Sequence, residues 1–180
     1  MMQLKRPIIF TIILILGLLW IFLSANRSGA STGGPLLAPQ EGFLAPDFTL
    51  QTLDGESITL SGLRGQAIVI NFWATWCPPC KAEMPAIQEM QDAFREQGLV
   101  ILAVNATSQD TYTGIAPFIE DYGLTFPILL DSNGEVGSLY QVRSLPTTIF
   151  IGRDGIIQKI VIGGPMPRAL LQSRIEELLK

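Results

Sequence analysis

An α/β fold, with a central sheet and helices on both faces, is predicted by three features of this 180-residue sequence. The nearly continuous apolar run Ala67-Ile-Val-Ile-Asn-Phe-Trp73 has strand length and suits a central strand covered on both sides. From Pro78 to about Glu96 the period becomes helical, with Met84, Ile87, Met90 and Phe94 on one side and charged and amide residues on the other. The elements then follow as strand, helix, strand, helix and strand, before a hairpin and a last helix, an order that sets helices across both faces.

Taken in order, Ala45–Leu50 and Ile58–Leu60 flank the turn Leu53-Asp54-Gly55-Glu56, a short hairpin by alternation and by its Asp-Gly pair. Gly62–Gly65 is a loop. After the central strand and first helix, Leu99–Val104 reads as a second buried strand. Thr113–Tyr122 reads as a short helix with Ile115, Phe118, Ile119 and Tyr122 on one stripe; Pro117 fits only its first turn. Phe126–Leu130 is a third strand, Asp131–Gly134 a turn, and Glu135–Tyr140 one helical turn. Thr147–Ile151 and Ile156–Ile162 pair antiparallel around Gly152-Arg-Asp-Gly155. Pro167–Leu179 closes the domain as an amphipathic helix with Leu171, Ile175 and Leu178 inward. No internal repeat and no second domain is visible.

The amino end differs in kind. Between Pro7 and Leu23, 14 of 17 residues are apolar, a length of about 25 Å as a helix, near the lower limit for a membrane span. Residues 7–25 read as a transmembrane anchor. The alternative is a cleaved signal peptide, for which Ser28-Gly29-Ala30 is a poor cleavage site. Lys5 and Arg6 place residues 1–6 in the cytoplasm and the rest of the chain outside it. Residues 26–41 read as a flexible tether and 42–180 as the folded domain. Lys5, Arg6 and Arg27 give the first 40 residues +3; the remainder carries 16 acidic and 9 basic side chains, or −7. An acidic domain without a Lys/Arg cluster argues against nucleic acid as partner.

The chain has no histidine and two cysteines. Histidine bases, Ser-His-Asp and Cys-His nucleophile systems and histidine-containing metal sites are therefore excluded, as is a Cys₄ site. The two cysteines fall in Cys77-Pro78-Pro79-Cys80, where the buried strand meets the amphipathic helix. Cys77 is placed as N-cap and Pro78 at the first helical position, where a missing N–H costs nothing. The helix end lowers the Cys77 pKa, and Cys80, one turn on and less exposed, is positioned to resolve a mixed disulfide. Pro79 at the next position has no N–H either, leaving the Cys80 amide as the main backbone donor to Cys77. A moderately stabilised thiolate makes the pair a reductant more than a strong oxidant. A permanent structural disulfide and a metal site of two thiolates are the alternatives at this point.

The segment Phe72-Trp-Ala-Thr-Trp-Cys-Pro-Pro-Cys-Lys81 resembles the active-site segment of the thioredoxin superfamily. Over Ala45–Leu179 the chain looks like the membrane-tethered TlpA/ResA/CcmG-like thiol-disulfide oxidoreductases, which overlap with the AhpC/TSA and redoxin groups. Ala45-Pro-Asp-Phe48, Glu83, the extra segment between Asn105 and Asp131, and Leu145-Pro146-Thr147-Thr148 belong to the same pattern. The resemblance implies a thioredoxin-like three-layer sandwich around a mixed sheet, with the extra segment in the middle. It also implies a cis Leu145–Pro146 bond beside Cys77, with the Leu145 backbone aligning a substrate chain.

Cys77 and Cys80 are then the catalytic, redox-active pair, and Trp76, Pro78, Pro79, Leu145, Pro146 and Thr147 position substrate. Asn71 stands where thioredoxins usually carry a buried aspartate, so Glu83 becomes the candidate for proton transfer with Cys80; a solvated first-turn carboxylate is its alternative. Trp73 is expected in the core, Lys81 on the surface, and Gly163-Gly164 beside the site. No cofactor and no metal are implied. The implied activity is extracytoplasmic reduction of protein disulfides, with apocytochrome c as a client and a DsbD/CcdA-like membrane electron donor. A peroxiredoxin-like peroxidase and a non-enzymatic metal-chaperone or binding module are the competing functions.

Overall fold

The computed structural model describes the backbone of residues 5–25 and 36–180, and the side chains of residues 9–21 and 36–180. The chain divides into two compact units, Met1–Gly34 and Pro35–Lys180. The first contains helix α1 (Lys5–Ala25). Its described side chains, residues 9–21, are all exposed, and among the described residues no helix is long and apolar enough to cross a membrane. The expected anchor over 7–25 extends past those side chains. Residues 1–4 of the expected cytoplasmic end and 26–35 of the expected tether lie outside the described residues.

The second unit is built on strands β1 (Thr49–Thr52), β2 (Ser57–Thr59), β3 (Ala67–Trp73), β4 (Leu99–Asn105), β5 (Ile128–Leu130), β6 (Thr147–Ile151) and β7 (Ile157–Ile162). They form one mixed sheet in the order β2-β1-β5-β4-β3-β6-β7. Strands β3, β4 and β5 run parallel; β6, β7, β1 and β2 pair antiparallel to their neighbours. All residues of β3 are buried, as its unbroken apolar run requires. Helices α2 (Pro78–Phe94), α3 (Tyr112–Tyr122), α4 (Glu135–Leu139) and α5 (Arg168–Leu178) complete the unit.

The pleat of β3 divides the core. Ala67, Val69 and Trp73 pack with Met84, Ile87 and Met90 of α2, Ile115 and Phe118 of α3, and Leu171, Ile175 and Leu178 of α5. Ile68, Ile70 and Phe72 face the opposite side, under Phe48, Leu60, Tyr140 and Val136 of α4. The fold is thus the expected three-layer arrangement of thioredoxin type, with the segment between Asn105 and Asp131 adding α3 and β5. That segment widens the sheet, since β5 inserts between β4 and β1.

Two local readings are corrected. Strand β5 begins at Ile128, not Phe126: Pro127 accepts a hydrogen bond from Ala103 N (3.0 Å) but has no N–H to return one. Pro117 lies in the interior of α3, not in its first turn. It is exposed, and Thr113, whose carbonyl loses its helical partner, is exposed as well, so water can take that bond. Pro85 sits likewise inside α2, with Lys81 exposed four residues before it.

Residues 36–41, read from sequence as part of the tether, are hydrogen-bonded to the domain. Leu44 bridges both Leu37 and Ile156, and the Glu41 carboxylate accepts from Ile160 N (3.0 Å) and pairs with Lys159 (3.0 Å).

Candidate active site

Strand β3 ends at Trp73, and the three residues to Trp76 carry the chain to the start of α2. Asp110, in the loop before α3, clamps this turn: its Oδ2 accepts from Thr75 N (2.6 Å) and Asn105 Nδ2 (2.8 Å), and its Oδ1 accepts from the Thr75 hydroxyl and Thr111 N (2.7 Å). Burial raises the Asp110 pKa, but these donors outweigh it and hold the carboxyl below its ordinary value. The turn delivers Cys77 as the extended N-cap of α2 (φ −87°, ψ 107°). Its Sγ accepts from Cys80 N at 3.2 Å. Pro78 and Pro79 occupy the first two helical positions and offer no N–H, so the Cys80 amide is the backbone donor to this sulfur. Cys77 and Cys80 form a disulfide, with 2% and 0% exposure respectively. In this oxidised state the two cysteines differ in exposure less than the sequence suggests.

Glu83, one turn after Cys80, is 2% exposed. It is not a solvated first-turn carboxylate. Its Oε1 accepts from Asn71 Nδ2 (2.9 Å) and its Oε2 from Met166 N (3.0 Å). Burial raises the Glu83 pKa, and these two donors offset only part of the effect, leaving it above the ordinary carboxylate value. Asn71 is fully buried on β3 and also donates to Thr148 Oγ1 (3.0 Å) on β6. Among the described residues its Oδ1 has no partner, a defect worth about 1–3 kcal/mol for a buried polar atom.

Two cis prolyl bonds frame the other side, Leu145–Pro146 and Gly164–Pro165. Gly163 N donates to Pro146 O (2.8 Å), tying the two loops together. Gly163 has φ +86°, a conformation that favours glycine. A Cβ at Gly164 would lie 2.6 Å from Pro146 Cγ and 2.8 Å from Glu83 Oε2. The close backbone approach expected of Gly163-Gly164 is therefore at Gly164, between the proline and the carboxylate. The Leu145 N–H and C=O make no hydrogen bond among the described residues and remain open to a passing chain. Thr147 is 4% exposed and its hydroxyl donates to Ser144 O (2.8 Å), so it shapes the loop from within.

Trp76 is 54% exposed, held by an Nε1–H bond to Gln109 O (2.9 Å). It walls a cleft of about 240 Å³ also lined by Ser108, Gln109, Arg143, Ser144 and Leu145. Trp73 is fully buried against Phe118, with ring centroids 4.6 Å apart. Pro78 is exposed and Pro79 half-buried beside the bridge. The structure thus gathers Trp76, Cys77, Pro78, Pro79, Cys80, Glu83, Leu145, Pro146 and Thr147 around one helix end. Sequence reasoning missed the Asp110 clamp and the Asn71–Glu83 pair. Asn71 as a lone polar residue in an apolar strand was a usable signal; Asp110, in a polar loop, gave none.

A family model described as the AhpC/TSA family matches residues 42–160. The chain belongs to the AhpC/TSA family. Among curated relatives, the thioredoxin-like protein YneN of Bacillus subtilis is 44% identical over 125 residues, which cover 69% of this chain and 72% of that protein. The thiol-disulfide oxidoreductase ResA of Oceanobacillus iheyensis is 42% identical over 142 residues, covering 77% and 70%. The crystal structure of StoA from Bacillus subtilis superposes with a TM-score of 0.63 at 35% identity, covering 72% of this chain and 96% of that one. This AhpC/TSA protein is an enzyme of thiol-disulfide exchange acting through Cys77–Cys80, outside the cytoplasm, in association with the membrane and with redox partner proteins.

Proposed function

We propose that the protein is a disulfide reductase whose Cys77 thiolate attacks a disulfide in a client protein. A Cys77–client bond forms and one client thiolate leaves. Cys80 then gives its proton to the Glu83 carboxylate, attacks Cys77 Sγ, and expels the second client thiolate. Two electrons pass from the dithiol to the client, and the Cys77–Cys80 bridge is left behind. The open N–H and C=O of Leu145 pair with the client backbone, while Trp76 packs on its flank.

The observation that carries the reducing direction is the single amide bond to Cys77 Sγ, from Cys80 N at 3.2 Å. Two prolines deny the thiolate a second N–H, so the reduced form is not strongly favoured and the pair passes its electrons on. Re-reduction requires a dithiol donor; a DsbD/CcdA-like membrane protein fits, and apocytochrome c before haem attachment is the client. Residues 7–25 anchor the protein by one membrane helix, with 1–6 in the cytoplasm. Support comes from 14 apolar residues in the 17 positions from Pro7 to Leu23, preceded by Lys5 and Arg6.

Cys80→Ser in intact cells tests this, since it stalls the reaction at the mixed disulfide. Apocytochromes among the trapped proteins are expected, and their absence removes the client assignment. A reduction potential near that of strong oxidants, about −120 mV, overturns the direction.

A further inference from the structure

Asn71 carries a buried amide oxygen with no hydrogen-bond partner among the described residues. Alternation along β3 turns its side chain to the same face as Val69 and Trp73, which pack in one cluster with Cys77, Cys80 and Met84. Its Nδ2 lies 2.9 Å from Glu83 Oε1, so the amide sits beneath the first turns of α2, where Cys80 and Glu83 stand one turn apart on the inner side. Both protons of that nitrogen are used, one on Glu83 and one on Thr148 Oγ1 at 3.0 Å.

In the disulfide neither sulfur bears a proton. Reduction by a dithiol adds two electrons and two protons to the bridge. The Cys77 sulfur, capped by the Cys80 amide, can give up its proton and persist as thiolate. Cys80 is 0% exposed, so water is not at hand to accept from its S–H. Reduction therefore creates a buried donor in the cluster that holds the orphaned acceptor.

We propose that Asn71 is a positioning residue for the exchange reaction: its Oδ1 accepts the Cys80 S–H in the reduced protein while its Nδ2 holds the Glu83 carboxylate. One neutral side chain thereby fixes the thiol that loses a proton beside the carboxylate that receives it. The inference deepens the reductase reading above and rests on it. In the resolving step the Cys80 S–H bond breaks, the proton goes to a Glu83 oxygen, and the new thiolate attacks Cys77 Sγ as the client thiolate departs. The amide carries no proton itself. Among the described residues, these neighbours of Glu83 and Asn71 carry no further charge: β6 presents Thr148, the flanking loops present Met166 N–H, Pro146 and Gly164, and Lys81 on α2 is exposed.

The chain has two cysteines, so Cys77→Ser leaves one thiol whose S–H stretch can be read directly by infrared spectroscopy. That band is expected at lower frequency than in an unbonded thiol. Adding the near-isosteric Asn71→Leu should move it back up, lower the Cys80 pKa and speed alkylation at neutral pH several-fold. A band unmoved by Asn71→Leu overturns the proposal. Should Asn71→Leu fail to fold, the side-chain carbonyl carbon of Asn71 is followed by NMR through the Cys80 titration in Cys77→Ser alone. A shift that titrates with the thiol supports the bond, and a flat response overturns it. Neither reading uses a client. An inactive wild-type protein with a lowered band leaves the bond standing and sinks the reductase reading, whereas an active one with an unshifted band sinks the bond.

Discussion

Asp110 and Glu83 flank the Cys-Pro-Pro-Cys turn on opposite sides, and their surroundings drive them apart. Asp110 is half-buried and collects four donors, from Thr75 N–H and O–H, Asn105 and Thr111 N–H. Glu83 is almost wholly buried and collects two, from Asn71 and Met166 N–H. For both, burial favours the neutral acid and the donors favour the anion. The donors prevail at Asp110 and lower its pKa, whereas burial prevails at Glu83 and raises it. One carboxylate is a fixed anchor for the turn, and the other is able to change its protonation state. Equal residue chemistry, differently enclosed, separates a carboxyl held as the anion from one that burial biases toward the neutral acid.

Glu83→Gln should break the comparison on the catalytic side. Client-disulfide reduction at pH 7 is expected to fall about 100-fold, or about 2.7 kcal/mol, with thermal stability unchanged or raised because a buried charge is gone. A rate within error of wild type would remove Glu83 from the mechanism. Asp110→Asn should show the converse: a stability loss of about 2 kcal/mol in denaturant unfolding, from N–H groups left without a charged acceptor, and little change in the resolving rate. The pH dependence of unfolding separates the same two variants by sign. Stability from Glu83 is fully present below its unfolded value near 4.5 and is lost as pH rises through its raised folded value. Stability from Asp110 is present above 3.8 and is lost as pH falls through its lowered one. Glu83→Gln should therefore flatten the loss above 4.5, and Asp110→Asn the loss below 3.8.

Gly164→Ala presses on the carboxylate from outside, because the added carbon meets Pro146 Cγ and Glu83 Oε2. Overpacking of this kind costs about 1–2 kcal/mol in stability and should also shift the pH profile of exchange. An unshifted profile would show that Glu83 tolerates displacement. Trp76→Ala, on the Asp110 side, should have the smallest effect. It raises client KM about fivefold, near 1 kcal/mol, and leaves melting unchanged because Trp76 is 54% exposed.

Much of this was legible in the chain. The apolar run of β3, the periodic faces of α2 and α5, and the Asp-Gly and Arg-Asp-Gly turns each state a local preference that the packing accepts. The Cys-Pro-Pro-Cys cap follows from which residues possess an N–H. What escaped depended on contacts between distant positions. Nothing near Glu83 announces that Met166, 83 residues later, will supply its second donor. Nor does the sequence announce that Asp110 will reach back 35 residues to Thr75. Pro117 misled in a different way: propensity disfavours it inside a helix, but it lies on an exposed side where solvent can satisfy the freed carbonyl.

The segment from Leu36 to Leu44 has a consequence for a protein confined near a membrane, where neighbouring copies meet often. Strand β7 is an outer edge of the sheet, and such an edge invites pairing with another chain. Gly42 and Phe43 occupy the backbone of Ile157, and the Glu41 carboxylate takes Ile160 N–H. The opposite edge, β2, is only three residues long. The leader to the domain thus occupies the Ile157–Ile160 part of the longer edge and leaves exposed Ile162 as the stretch where a second chain could pair.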